Sequence, residues 1–262
     1  NCGNGLFAQC VRLRSEINRN QFNQVAGTLG NGIDKGSWET GGAGAGSGPL
    51  TDADIVDPVH GMAFAVYSED DHSLMFYKRK GLPKVGDMLN SRRVTEVYPD
   101  IENYDFNITG PGDNAAGNAP WWRHRSDILS VKVVDRIKPK NMCGWFFWFE
   151  NVTSIDLGPI DTSEVIWLFG TFDRCFSLNE LDVSMMNTSK VKSMDCAFYG
   201  DGKLTKLDLS SWDFSNVSNF DRMFRLCESL NLDCSDWNVQ TNARHESFNS
   251  AAPGVILPKA WQ

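Results

Sequence analysis

The stretch LTKLDLSSWDFSNVSNFDRMFRLCESL, residues 204–230, decides the predicted fold because its pattern recurs along the second half of the chain. Its segment Leu207-Asp208-Leu209 has counterparts at intervals of 26 residues, at Leu181-Asp182-Val183 and Ile155-Asp156-Leu157, and Leu232-Asp233-Cys234 follows 25 residues later. A period of about 20 to 50 residues is typical of proteins in which small units stack and share one core. The sequence therefore predicts a repeat architecture.

Other sets of equivalent positions, called columns below, keep the same spacing and define how many units there are. The position 26 residues before Ile155 is Leu129, so a divergent first repeat starts near Leu129. The last repeat, from about Leu232 to Phe248, has lost two residues relative to the others, which gives about five repeats. The aligned columns hold Val165, Val191 and Val217, then Phe146, Phe172, Phe198 and Phe224, and Ser163, Ser189 and Ser215.

The residues within one unit predict a strand followed by a helix. In Leu204–Leu209 the apolar residues alternate with polar ones, as in a half-buried strand, and the Asp points outward. Ser215 suits a helix N-cap, because its hydroxyl accepts a hydrogen bond from a free backbone N–H. Val217, Phe220, Met223 and Phe224 follow at helical spacing. The predicted fold class is α/β, a leucine-rich-repeat-like solenoid of about five short strand–helix repeats.

The first half of the chain predicts different elements. Ala63–Tyr67 and Leu74–Tyr77 flank a polar turn and predict an N-terminal β-hairpin cap, with a third strand at Val94–Tyr98. Apolar residues near one face at the start of the chain predict a separate N-terminal helix. The expected domains are an amphipathic helix (1–30), a Gly-rich linker (31–58), a β-rich cap (59–128), the repeat solenoid (129–256) and a C-terminal tail (257–262).

Composition excludes several classes of function. The 262-residue chain has a formal net charge of -8, and residues 150–262 hold 16 acidic against 9 basic side chains. Sequence-independent nucleic-acid binding needs clustered Lys and Arg, so no nucleic-acid partner is predicted. No apolar run of about 18 residues occurs, so no membrane span is predicted. Seven cysteines without a CxxC pair support no zinc site, and we predict no cofactor.

Two repeat segments resemble the BspA-like leucine-rich-repeat surface proteins of bacteria, in the subgroup with repeats of about 26 residues. They are residues 204–230 and LNELDVSMMNTSKVKSMDCAF, residues 178–198; AFAVYSEDDHSLMFYKR (63–79) and PWWRHRSDI (120–128) are similar to segments that precede such repeats. The resemblance implies an extracellular protein, secreted or on the cell surface. It implies adhesion to host matrix proteins or other cell-surface proteins, and no shared catalytic residues.

We therefore expect a cell-surface binding module of the adhesin type, which presents a repeat face for protein–protein interaction. The alternative is a structural spacer or stalk domain of a larger surface protein whose recognition lies elsewhere. An enzyme is not expected, because the sequence lacks the GxSxG, HExxH and GxxxxGK[ST] motifs. Cys175 and Cys227 fall on the apolar face of the repeat, where a buried thiol behaves as a small hydrophobe.

One outward Asp per unit is the candidate binding site. Neighbouring strands lie about 4.8 Å apart, so like charges on them repel and together attract cations or a basic partner surface. Two alternatives stay open at this stage. Each Asp could accept hydrogen bonds within its own turn, or the column could bind calcium, although no metal site is predicted. The candidate residues, called the acidic row below, are Asp156, Asp182, Asp208 and Asp233.

The aromatic run Trp145–Phe149 also has two interpretations. Clustered aromatic residues are usually core, which would place this run at the junction between the cap and the repeats. The alternative is an aromatic ligand-binding cluster.

Overall fold

A computed structural model describes residues 61–104 and 119–262. The predicted N-terminal helix (1–30) and the Gly-rich linker (31–58) lie outside the described residues. The strands are β1 Met62–Ser68, β2 Ser73–Arg79, β3 Met88–Leu89, β4 Arg92–Arg93, β5 Glu96–Pro99, β6 Ser130–Val133, β7 Ser154–Asp156, β8 Glu180–Leu181, β9 Lys206–Leu207, β10 Leu232–Asp233 and β11 Val255–Ile256. Short 3-10 helices lie at Ile101–Asn103, Trp122–His124 and Lys259–Trp261.

The predicted hairpin is confirmed and forms the centre of the largest sheet. β1 and β2 pair antiparallel from Met62 opposite Arg79 to Ser68 opposite Ser73. β5 pairs antiparallel with β1. It begins two residues and ends one residue later than the predicted third strand, Val94–Tyr98. On its other side β2 pairs in parallel with β6, and β6 pairs with β7, giving the order β5-β1-β2-β6-β7. The hairpin and the first repeats therefore share one sheet.

The predicted strand–helix repeats and the leucine-rich-repeat-like solenoid are wrong. The described residues contain no α-helix, and their sheets are small and open, one of five strands and three of two strands. The stretch predicted to be helical is instead a run of tight turns. Arg222 and Leu226 have φ angles of 58° and 64°, and a left-handed residue interrupts an α-helix. The fold class is thus not α/β, because its regular elements are almost all strands.

The hydrogen bonds explain why this stretch is not a helix. The N–H groups of Phe220, Arg222, Phe224 and Leu226 donate to carbonyl groups of the following unit, over 2.7–2.9 Å. Of the N–H groups in between, those of Met223 and Arg225 donate to the carbonyl three residues earlier, and that of Asp221 donates to Asn219 Oδ1. Every second donor is therefore used between units, where an α-helix would use all of them internally. The apolar spacing that suggested a helix fits such turns equally well.

Left-handed residues recur at two positions of each unit and produce this alternation. Most are not glycine, so each costs about 1 to 2 kcal/mol of backbone strain. The inter-unit hydrogen bonds that follow from them offset that cost. One column holds Gly144, Gly170, Cys196, Arg222 and Ser247, and the other holds Trp148, Arg174, Gly200, Leu226 and Ala251.

The 26-residue register itself persists in three dimensions. Leu181 lies opposite Leu207 in the parallel pair of β8 and β9. Single bridges join Trp167 to Ser193, Ser193 to Asn219 and Asn219 to Arg244. The last of these steps spans 25 residues, and the pairing of Leu232 in β10 with Val255 in β11 spans 23, so the final unit is shorter than the others.

A ladder of buried phenylalanine rings runs through the units. The ring centres of Phe146, Phe172, Phe198 and Phe224 lie 5.5, 5.3 and 5.5 Å apart in succession. All four side chains are at most 1% exposed, which confirms the predicted apolar column. Each offset-stacked pair adds about 0.5 to 1.5 kcal/mol beyond the burial of its surface. The ladder is therefore the continuous part of the core.

The aromatic run 145–149 joins the hairpin to this ladder. Trp145 is fully buried and stacks on Phe76 of β2, with ring centres 5.3 Å apart and planes 4° from parallel. Phe146, its neighbour, begins the phenylalanine ladder. The run is thus mainly core, as the junction interpretation predicts, while Trp148 stays half-buried at the surface.

Residues 257–262 pack against the last unit. The Trp261 ring lies 5.1 Å from Phe220 and 5.3 Å from Phe248, and it stacks on His245 at 4.4 Å. Its Nε1–H donates to the Gln240 carbonyl over 3.1 Å. The C-terminal segment therefore shields apolar side chains of the final unit from water.

Candidate functional site

The structure exposes every carboxylate of the acidic row, and each closes a small turn. Asp156, Asp182, Asp208 and Asp233 accept a hydrogen bond from the backbone N–H two residues further on, over 2.9–3.0 Å. Such turns form readily around Asp, because its short side chain reaches the backbone just ahead. The expected alternative of hydrogen bonds within the turn is thus present, and it leaves the carboxylates at the surface.

Hydrogen bonds lower the pKa of three carboxylates in the acidic row. The side chain and backbone of Ser184 lower the pKa of Asp182. The backbone N–H of Ser210 lowers the pKa of Asp208, and that of Ser235 lowers the pKa of Asp233. The negative charge of Asp182 acts in the opposite direction on the pKa of Asp208, as expected of carboxylates on adjacent units. These three carboxylates are therefore negatively charged at neutral pH.

Basic residues neutralise only part of the acidic row. Asp156 forms an ion pair with Lys132 at 2.6 Å. Lys206, two residues before Asp208, pairs instead with Glu180 at 2.9 Å. Asp182 and Asp208 form no ion pair with any described residue, so they are the uncompensated centre of the row. Within residues 61–104 and 119–262, no three His, Cys, Asp or Glu side chains are grouped so that they could hold a metal ion.

A second surface feature, which the sequence did not predict, surrounds Arg174. It is an open depression of about 460 Å³ lined by Arg174, Phe176, Tyr199, Lys203, Leu226 and Glu228, and we call it the Arg174 depression. The Arg174 guanidinium lies 4.6 Å from the ring centres of both Trp148 and Tyr199. Gly200 makes room for it, since a Cβ there would lie 3.2 Å from the Arg174 Cγ.

Buried carboxylates lie next to the Arg174 depression. Arg174 Nη1 donates to Asp173 Oδ1 over 3.0 Å, and Arg222 Nη2 lies 3.2 Å from both oxygens of Asp195. Burial raises the pKa of Asp173 to about 7; the Arg174 charge opposes that rise and the charge of Asp195 adds to it. Near neutral pH, Asp173 is therefore an incomplete counter-charge for Arg174.

Asp201 and the cysteines of the same column are buried and unreactive. Asp201 is fully buried between the units that carry Cys175 and Cys227, and its Oδ1 accepts the Cys175 N–H over 2.8 Å. Burial raises the pKa of Asp201 well above its usual range, because the charged form is disfavoured away from water. Burial also raises the pKa of both thiols. Thiolate chemistry is disfavoured at these positions.

His124 belongs to a hydrogen-bonded cluster on the hairpin side of the molecule. Its ring stacks on Tyr67 at 3.8 Å, and its Nε2 lies 3.2 Å from Glu96. Burial alone would raise the pKa of Glu96, but hydrogen bonds from Arg123, Tyr98 and His124 hold it at about 2. This cluster fastens the segment around His124 to β1 and β5.

Comparison with known proteins relates the repeat half to a bacterial family. Residues 140–255 match the family described as Mycoplasma protein of unknown function, DUF285. The match supports the coarser part of the predicted resemblance, a relationship to a bacterial surface-protein family, and it identifies no repeat subgroup. No curated protein and no solved structure matched the chain. The described residues contain no helix that is long and apolar enough to cross a membrane.

Proposed function

We propose that this chain is a non-enzymatic binding module of the adhesin type, which acts at the cell surface and presents the acidic row to a basic patch of a partner protein. The observation that carries the proposal is the pair Asp182 and Asp208. Both are exposed and ionised, they lie on adjacent units, and neither forms an ion pair with a basic side chain of residues 61–104 or 119–262. The family match supports an extracellular location.

The backbone suits a display function because it holds the row at a constant register. Parallel pairing of β8 with β9 and the recurring hydrogen bonds between units fix the position of each turn. The hydrogen bond within each turn then fixes the carboxylate. A partner does not have to order these groups when it binds, which removes part of the entropic cost of association.

The proposal is tested with the double variant Asp182→Asn and Asp208→Asn. Asparagine can accept the same hydrogen bond within the turn but carries no charge, so the local fold is retained. We expect the affinity for a Lys-rich peptide, measured by calorimetry in low salt, to fall about fivefold or more. The matched control is Asp213→Asn, because Asp213 forms the same kind of turn with Ser215 at 2.9 Å but lies outside the row.

Two outcomes would contradict this reasoning. If the double variant and the Asp213 control lost the same affinity for the peptide, binding would depend on the net charge of the chain and not on the acidic row. No measurable binding of the basic peptide by the native chain would instead favour the alternative, a structural spacer or stalk with recognition elsewhere. The phenylalanine ladder and the inter-unit hydrogen bonds favour that alternative, since they supply rigidity without any ligand.

A further inference from the structure

We propose that the Arg174 depression is a second interaction surface and that it binds an acidic, aromatic-containing peptide segment of a partner protein. This inference goes beyond the proposed function, because it concerns other residues and a ligand of the opposite charge. It stands on the placement of Arg174, on the local excess of basic side chains, and on the exposed apolar surface beside them.

Arg174 is positioned in advance for an anionic group. Its guanidinium lies over the rings of Trp148 and Tyr199, 4.6 Å from each ring centre. A guanidinium has five N–H donors in a planar fork that matches a carboxylate. The contact with Asp173 engages Nη1, which leaves other donors for a ligand. Because stacking already restricts this side chain, little rotamer freedom is lost when an anion binds.

Basic side chains outnumber acidic ones around the depression. Lys203 lines it, and Arg225 lies 5.9 Å from the ring centre of Tyr199. Neither forms an ion pair with any residue that the structure describes. Glu228 is the acidic residue among the lining side chains. This local positive charge contrasts with the net charge of -8 of the whole chain, and it complements an acidic peptide.

Apolar surface beside the charges favours a peptide over a simple anion. Phe176 is 39% exposed although it is a large apolar residue, and its ring lies 6.3 Å from that of Trp148. Leu226 and Tyr199 are half-buried on the same wall. Aromatic residues and Arg are the side chains enriched at protein interfaces. A ligand with one aromatic residue among carboxylates would use both kinds of surface.

The experiment uses a fluorescent peptide of several glutamates around one tyrosine, titrated with the full chain. We expect saturable binding that weakens about fivefold or more in the double variant Lys203→Gln and Arg225→Gln. Arg174→Lys should also weaken binding, since it keeps the charge but loses the fork and the stacking. The matched control is Lys192→Gln. Lys192 is exposed, does not line the depression, and likewise forms no ion pair with a described residue.

Several results would overturn the inference. These are equal weakening in the Lys192 control, equal binding of a peptide with glutamine in place of glutamate, and no saturable binding by the native chain. Stronger binding of inorganic phosphate, or of vesicles that contain phosphatidylserine, would assign the depression to a small anion or a membrane surface and also overturn it. The Asp182 and Asp208 variant should bind this peptide normally, so failure here and failure of the acidic row are distinguishable.

Discussion

Phe198 at the centre of the phenylalanine ladder is where the stability of the repeat half can be tested most directly. Its side chain is fully buried and lies 5.3 Å from the ring of Phe172 and 5.5 Å from that of Phe224. Replacing a buried Phe by Ala costs about 3 to 5 kcal/mol through lost burial and the cavity that remains. That range is for the whole substitution, and the loss of two stacked pairs, each worth about 0.5 to 1.5 kcal/mol, places Phe198 in its upper part.

We therefore expect Phe198→Ala to lower the free energy of unfolding by about 4 to 5 kcal/mol, measured by urea denaturation with near-UV circular dichroism and Trp fluorescence. Such a loss approaches the total stability of many domains, so Phe198→Leu is a necessary second variant. Leucine keeps most of the volume but loses the ring stacking, and we expect it to cost about 1 to 2 kcal/mol.

The control is Phe176→Ala, because Phe176 is 39% exposed and stands outside the ladder. We expect it to change the free energy of unfolding by less than about 1 kcal/mol. A cost for Phe198→Ala below about 1.5 kcal/mol, or a cost equal to that of Phe176→Ala, would refute the idea that the ladder is the continuous core.

Two further predictions concern the surroundings of Arg174. The pKa of Asp173 is raised by burial to about 7, so the folded chain holds a proton that the unfolded chain releases near its ordinary pKa of 3.8, and stability falls as pH rises through this window. Asp173→Asn should reduce the difference between the melting temperatures at pH 4.5 and 7.5, and an unchanged difference would contradict this assignment. Gly200→Ala places a Cβ at φ 80° and 3.2 Å from Arg174 Cγ, so it should cost about 1 to 2 kcal/mol and weaken peptide binding. Gly202→Ala, whose Cβ would meet nothing nearer than 3.6 Å, should do neither.

The acidic row shows which structural features the repeat spacing can predict. Asp182 and Asp208 lie 26 residues apart, and the structure places them on adjacent units at the surface. The repeat spacing is enough to predict this placement, because successive side chains of an extended segment point to opposite faces. Leu181 is therefore buried and Asp182 exposed, and the conformation of the residues that follow does not change this. Whether a partner binds the row depends on uncompensated charge, which only the positions of Lys132 and Lys206 reveal.

The Arg174 depression could not be predicted in the same way. Trp148 and Arg174 share one column of the 26-residue period, but Tyr199 lies outside it, and the residue types in that column do not mark it as a site. Their contact depends on left-handed backbone at Arg174 and Gly200, and a single sequence signals this only at the glycine. Two of these residues are aromatic, a type that more often indicates core than a binding surface.

The sequence by itself determined the period, the buried phenylalanine column, the exposed aspartates and the β-hairpin, because each depends only on which residues are apolar and how far apart they lie. Tertiary structure alone decided the conformation between the strands. From Phe220 to Leu226 the apolar spacing suits a helix or a run of turns, and the choice depends on where each N–H finds its acceptor. The acceptors for every second N–H belong to the next unit, so only the stacked chain excludes the helix.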